Sequence, residues 1–210
     1  MVGVTTQEES KSVSRLRNVI AGRCALALGV FVCSLVAQAD APPMGTAVDV
    51  AYAQKLWHAL TAAGLAGPQA RPMKPFFGGA RPHGMILELA YQDLRVGGHT
   101  GFLVLKRNYD GAGVSVQNVA RDRGRYLTSV TVMYRREKGY DPDNQDWFWA
   151  KYHADGSLFR NPRAMQMAGR ILKGATRDES GGCIYCHASA GGGDYVFYPE
   201  IHVPGYTQSD

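Results

Sequence analysis

The sequence predicts an α+β fold, a mainly antiparallel β-sheet with flanking helices and a chemically distinct C-terminal segment. Three observations predict it. Five β-rich runs lie at short spacing between residues 85 and 152, with turn-forming residues between them. A run of helical period precedes them and a second follows. Beyond these, two cysteines and a histidine stand close together near the C-terminus.

Residues 1–39 read as an export signal outside the fold. Lys11, Arg15, Arg17 and Arg23 form a positive region, Cys24 to Ala37 is apolar, and Ala37-Gln38-Ala39 supplies a small-x-small cleavage pattern. That apolar stretch is short for a membrane span, which takes about 20 residues; an uncleaved anchor is the alternative. Cleavage leaves residues 40–210 as a single domain. It also removes Cys24 and Cys33, two of the four cysteines, and neither follows a small residue as a lipid-anchor signal requires. Without the four basic and two acidic residues of the signal, 19 Lys and Arg face 16 Asp and Glu. With no clustered basic run, nucleic acid is not an expected partner.

In chain order, residues 47–65 carry Val50, Ala53, Leu56, Trp57, Leu60 and Leu65 at near-helical spacing, stopped by Gly64, Gly67 and Pro68. His58 beside Trp57 reads as a surface or packing residue. Residues 66–84, rich in Gly and Pro, form a loop. The predicted strands are 85–91, 101–108, 114–119, 127–135 and 147–152. On the second, alternation groups Phe102, Val104, Lys106 and Asn108 against Leu103, Leu105, Arg107 and Tyr109. On the last it groups Trp147 with Trp149 against Phe148, so both faces are apolar. Residues 163–173 read as a second helix with Ala164, Met167 and Ile171 on one face.

Cys183-Ile184-Tyr185-Cys186-His187 is C-x-x-C-H, the attachment pattern of a c-type haem. Cysteines at i and i+3 share one face of a helical turn and can form thioethers to the two vinyl groups of one porphyrin, while His187 takes the iron. A redox dithiol or half of a zinc site is the alternative, but no second cysteine pair exists in the mature chain. Export fits, because c-type attachment takes place outside the cytoplasmic membrane.

Several stretches together resemble the cytochrome P-460 family, which includes the cytochrome c-prime-beta proteins. They are Pro82-His83-Gly84, Phe102-Leu103-Val104-Leu105-Lys106, Asp146-Trp147-Phe148-Trp149-Ala150-Lys151-Tyr152, and the haem motif followed by Asp194-Tyr195-Val196-Phe197. The likeness covers most of residues 82–198. It implies a small periplasmic monohaem protein on an antiparallel sheet, a homodimer, with five-coordinate iron open on one face. In members that oxidise hydroxylamine, a strand lysine at the place of Lys106 is joined to the porphyrin edge; c-prime-beta members lack this link. A lysine that packs its stem and keeps its amine in water is the plain alternative for Lys106.

The expected function is binding and oxidation of small nitrogen compounds, hydroxylamine or nitric oxide, with electrons passed to a redox partner protein. The resemblance also implies a carboxylate above the iron, and the strand Leu127–Arg135 has none, offering Thr128, Ser129, Thr131 and Met133. Glu137, Asp141, Asp143 and Asp146 follow in a loop. A non-catalytic nitric oxide or carbon monoxide binder is therefore one alternative. An electron carrier is another, its sixth ligand drawn from Met133, Met165, Met167, His153 or His202, because no Met follows His187.

Overall fold

A six-stranded sheet in simple meander order organises the chain, each strand antiparallel to the next. The computed structural model describes residues 44–79, 82–170 and 183–197, which fall in the compact unit Ala39–Asp210. The expected export signal lies outside the described residues. Among the described residues, no helix is long and apolar enough to cross a membrane.

Helix α1 spans Ala47–Ala62 and starts at a reciprocal cap, in which Thr46 accepts from the Asp49 N–H and the Asp49 carboxylate accepts from the Thr46 N–H. It buries Ala53, Leu56 and Leu60 and leaves His58 exposed. Strand β1 is Phe76–Phe77, inside the stretch expected to be loop throughout. Strands β2 (Ile86–Val96) and β3 (His99–Tyr109) form a long hairpin with Gly97 at φ 59°, in the left-handed region that glycine occupies without strain. Strand β4 is Leu127–Arg135 and β5 is Trp147–Tyr152, both as expected.

Two expected elements are different. Residues 114–119 are not a strand: helix α2 runs Val116–Arg121, with Ser115 accepting from the Asn118 N–H at 3.1 Å, and helix α3 (Arg123–Tyr126) follows. The serine cap and the burial of Val119 against Ile86, Tyr109 and Tyr126 outweigh the β-branched composition. Nor are residues 163–170 helical. Asn161 Oδ1 accepts from the N–H groups of Arg163 and Met165, Ala164 takes φ 61°, and Ala168–Gly169 pairs with β5 as β6. A side chain that binds backbone groups ahead of it in this way competes with helix formation. The remainder of that expected helix lies outside the described residues.

The sheet has a helix side and a cavity side. On the helix side Leu103, Leu105, Val132, Tyr134 and Phe148 pack under α1, and the Trp57 ring lies 4.9 Å from that of Tyr152. On the other side Val104, Met133, Trp147 and Trp149 meet the C-terminal segment through Ile184, Tyr195 and Val196. The alternation expected for Lys106, Trp147 and Trp149 is the observed one.

At the end of the hairpin, Glu88 is fully buried and accepts from Arg107 at 2.9 Å, Tyr109 at 2.7 Å and Arg123 at 2.7 Å. Arg107 also donates to the carbonyls of Leu65 and Arg71, so one guanidinium fixes both the strand pair and the loop after α1. Holding Arg107 on that side turns its neighbour Lys106 to the cavity side.

Candidate functional site

A cavity of about 420 Å³ opens between the sheet and the C-terminal segment, within the size range of small-molecule sites. Two cross-strand rows supply its floor. Val104, Met133 and Trp149 form one; Lys106, Thr131 and Lys151 form the next, by the pairing of β3, β4 and β5. Helix α4, Cys183–His187, supplies Cys183, Cys186 and His187, so the C-x-x-C-H motif is helical as expected and lines the same cavity as Lys106.

His187 is buried, and its Nδ1 lies 2.7 Å from the Tyr195 carbonyl. A carbonyl only accepts, so Nδ1 carries the hydrogen and Nε2 keeps its lone pair. Burial lowers the His187 pKa, partly opposed by that hydrogen bond. Tyr195 sits at φ 66°, a conformation that costs a non-glycine residue about 1–2 kcal/mol. The 193–197 segment is fastened to the sheet edge: Trp147 Nε1 donates to the Asp194 carbonyl at 3.0 Å, Tyr91 to the Phe197 carbonyl at 2.9 Å, and Gln145 to the Gly193 carbonyl. Trp149 and Phe197 flank the His187 ring at 5.1 and 5.4 Å.

Lys106 and Lys151 are half-buried, and burial lowers both pKa values. Among the described residues neither has a carboxylate partner; Lys151 Nζ lies 4.7 Å from the centre of the Phe159 ring. Burial raises the Cys183 pKa, and the two ammonium groups oppose that rise. Trp149 Nε1 is buried with no hydrogen-bond partner among the described residues.

A residue not expected to act as a ligand joins them. His83 lines the cavity with its ring centre 6.3 Å from that of His187. Its Nδ1 lies 3.0 Å from Asn108 Oδ1, and burial, helped by Lys106, pushes its pKa down to about 4. Its only sequence signal is the Pro82-His83-Gly84 triplet. Gly84 is needed because a Cβ there would lie 2.3 Å from the Tyr109 carbonyl oxygen, so the loop presses against the end of β3 and sets His83 beside Asn108.

The other expected residues divide. Met133 and Met167 line the cavity, Met165 packs nearby, and His153 is exposed and stacks on Phe159. His202 lies outside the described residues. No carboxylate lines the cavity among the described residues. Asp141 is engaged with Asn144, and Asp146 Oδ1 accepts from Gly139 and Asp141, so these acids hold their own loop. Among the described residues no three His, Cys, Asp or Glu side chains converge to hold a bare metal ion, which a zinc site would need.

Fold and cavity together define an α+β protein with a cleft lined by thiols, imidazoles and amines. Comparison of the chain with protein-family models, with curated proteins and with solved structures finds no match.

Proposed function

We propose that the chain is an exported monohaem c-type cytochrome of the P-460 kind, which binds and oxidises hydroxylamine or nitric oxide at its haem. The observation that carries this reading is the convergence of Cys183, Cys186 and His187 with Lys106 in one cavity. The character of the walls supports it. Among the described residues two half-buried ammonium groups have no carboxylate partner and an indole N–H has no acceptor, which favours a guest that is largely apolar yet acidic. A porphyrin with its two propionates is such a guest.

Cys183 and Cys186 would form the thioethers and His187 Nε2 would take the iron, with the Tyr195 carbonyl orienting the ring as outer partners of metal-bound imidazoles do. The haem, when bound, supplies one-electron redox chemistry. This chain's residues do the rest. Val104, Met133 and Trp149 keep water from the face. Protons released as nitrogen is oxidised need an acceptor, and no carboxylate among the described residues lines the cavity to take them, so they would pass to water at its mouth. Burial raises the share of free amine on Lys106, the form that a bond to the porphyrin edge requires. A homodimer and a redox partner protein belong to the same reading.

One observation favours a second reading, a non-catalytic nitric oxide or carbon monoxide binder of the c-prime-beta kind: no carboxylate lines the cavity among the described residues. Expression with c-type maturation tests both. Intact mass should reveal covalent haem that Cys183→Ala with Cys186→Ala abolishes; a haem-free wild type would end both readings. Hydroxylamine-dependent reduction of an artificial acceptor, with a Lys106 peptide missing from the tryptic map, would favour the oxidase. Carbon monoxide binding without that activity would favour the gas binder.

A further inference from the structure

We infer that His83 is the second axial ligand of the haem iron, opposite His187, so that the sixth position is closed in the resting protein and a small ligand must displace an imidazole to enter. The inference rests on the haem reading and specifies how access to that site is controlled.

Hydrogen bonds set the tautomer of His83. Asn108 Nδ2 lies 3.2 Å from the Ser129 carbonyl, 3.1 Å from Ser129 Oγ and 3.2 Å from Thr131 Oγ1. The Ser129 carbonyl only accepts, so a flipped amide would set two oxygens against each other. Asn108 Oδ1 therefore faces His83 as an acceptor, and His83 Nδ1 carries the hydrogen. Its Nε2 is left with a lone pair. His187 is held the same way, with Nδ1–H on the Tyr195 carbonyl. Both imidazoles thus have the arrangement usual for metal-bound histidine, Nδ1–H on an oxygen and Nε2 available.

The spacing decides between a ligand and a more distant base. Two metal–imidazole bonds of about 2.0–2.1 Å, with the half-widths of two five-membered rings, put the ring centres about 6 Å apart across one metal ion. The observed separation is 6.3 Å. A substrate atom on the iron that also hydrogen-bonded to His83 would add a contact of about 2.7–3.2 Å and widen the gap by roughly 2 Å. The resting spacing therefore matches direct ligation, and a ligand that enters must push the imidazole aside. Met133 and Met167 also line the cavity, but among the described residues neither has its sulfur fixed by a hydrogen bond as Asn108 fixes His83.

The test uses the full chain matured with covalent haem, with His83→Ala and Met133→Leu variants, read by absorption and electron paramagnetic resonance. Wild type and Met133→Leu should be low-spin and six-coordinate. His83→Ala should be high-spin and should return to low-spin when imidazole is added. Ferrous His83→Ala should take up carbon monoxide at least about tenfold faster than wild type, because no closed form has to open first. A high-spin wild type, or a low-spin form that survives His83→Ala, overturns the inference. Intact mass without covalent haem overturns the haem reading and this one with it. Low-spin haem that depends on His83 and never binds carbon monoxide keeps the ligation and overturns the open-face function instead.

Discussion

Replacing Glu88 by alanine should be the most damaging single change outside the cavity. Glu88 is fully buried and is the one carboxylate facing Arg107 and Arg123 among the described residues. Its loss leaves the Arg107 guanidinium, 3% exposed, without a counter-charge, and takes the acceptor from Tyr109. Breaking a buried pair by removing one partner costs about 3–5 kcal/mol. In a domain of this size each kcal/mol moves the melting temperature by about 2–4 °C, so a fall of roughly 6–20 °C is expected. Glu88→Gln keeps an acceptor oxygen and should lose less. Because Glu88 and Arg107 contact each other directly, a double-mutant cycle with Arg107→Ala should be clearly non-additive. The assay is thermal and urea unfolding followed by circular dichroism. A fall below about 2 °C for Glu88→Ala, or strictly additive effects of the two substitutions, would refute the claim that this pair pins the β2–β3 hairpin and with it the side on which Lys106 lies.

The remaining predictions concern the cavity and its supports. In haem-free protein, Lys106→Met should stabilise by about 1 kcal/mol, since it replaces a half-buried cation that has no carboxylate partner among the described residues with a similar apolar volume; a lower urea midpoint would contradict it. The folded-state pKa of Lys106 lies below its ordinary 10.5, so the unfolded chain binds more protons between the two values and stability rises with pH across that window. Lys106→Met should flatten that slope, which urea melts at several pH values would measure. Asn108→Ala removes the acceptor for His83 and the donor to Ser129, and should cost about 1–3 kcal/mol in the same melts. Gly156→Ala should destabilise by about 1–3 kcal/mol, because Gly156 has φ 90° and a Cβ there would lie 2.2 Å from Trp57 Nε1; an unchanged melting temperature would mean that Trp57 is not packed on that turn.

What the sequence by itself determined was whatever is periodic or contiguous. Alternation grouped Lys106 with Phe102 and Val104 within β3, and Trp147 with Trp149 within β5, because the strand period is two; the register of β3, β4 and β5 then put both groups on the cavity side. The C-x-x-C-H spacing is likewise local and formed the helical turn α4. The tertiary structure decided what depends on distant partners. Residues 116–121 became α2 because a serine cap and a buried pocket outweighed valine content, and 168–169 became a strand because the edge of β5 was there to pair with. His83 is the clearest case. Nothing in its neighbourhood along the chain marks it as facing His187; Asn108, 25 residues away, and the close approach at Gly84 put it there. Convergence of side chains from separate elements is a property of the packed chain, since register and loop path fix the distance between two imidazoles and no local pattern encodes it.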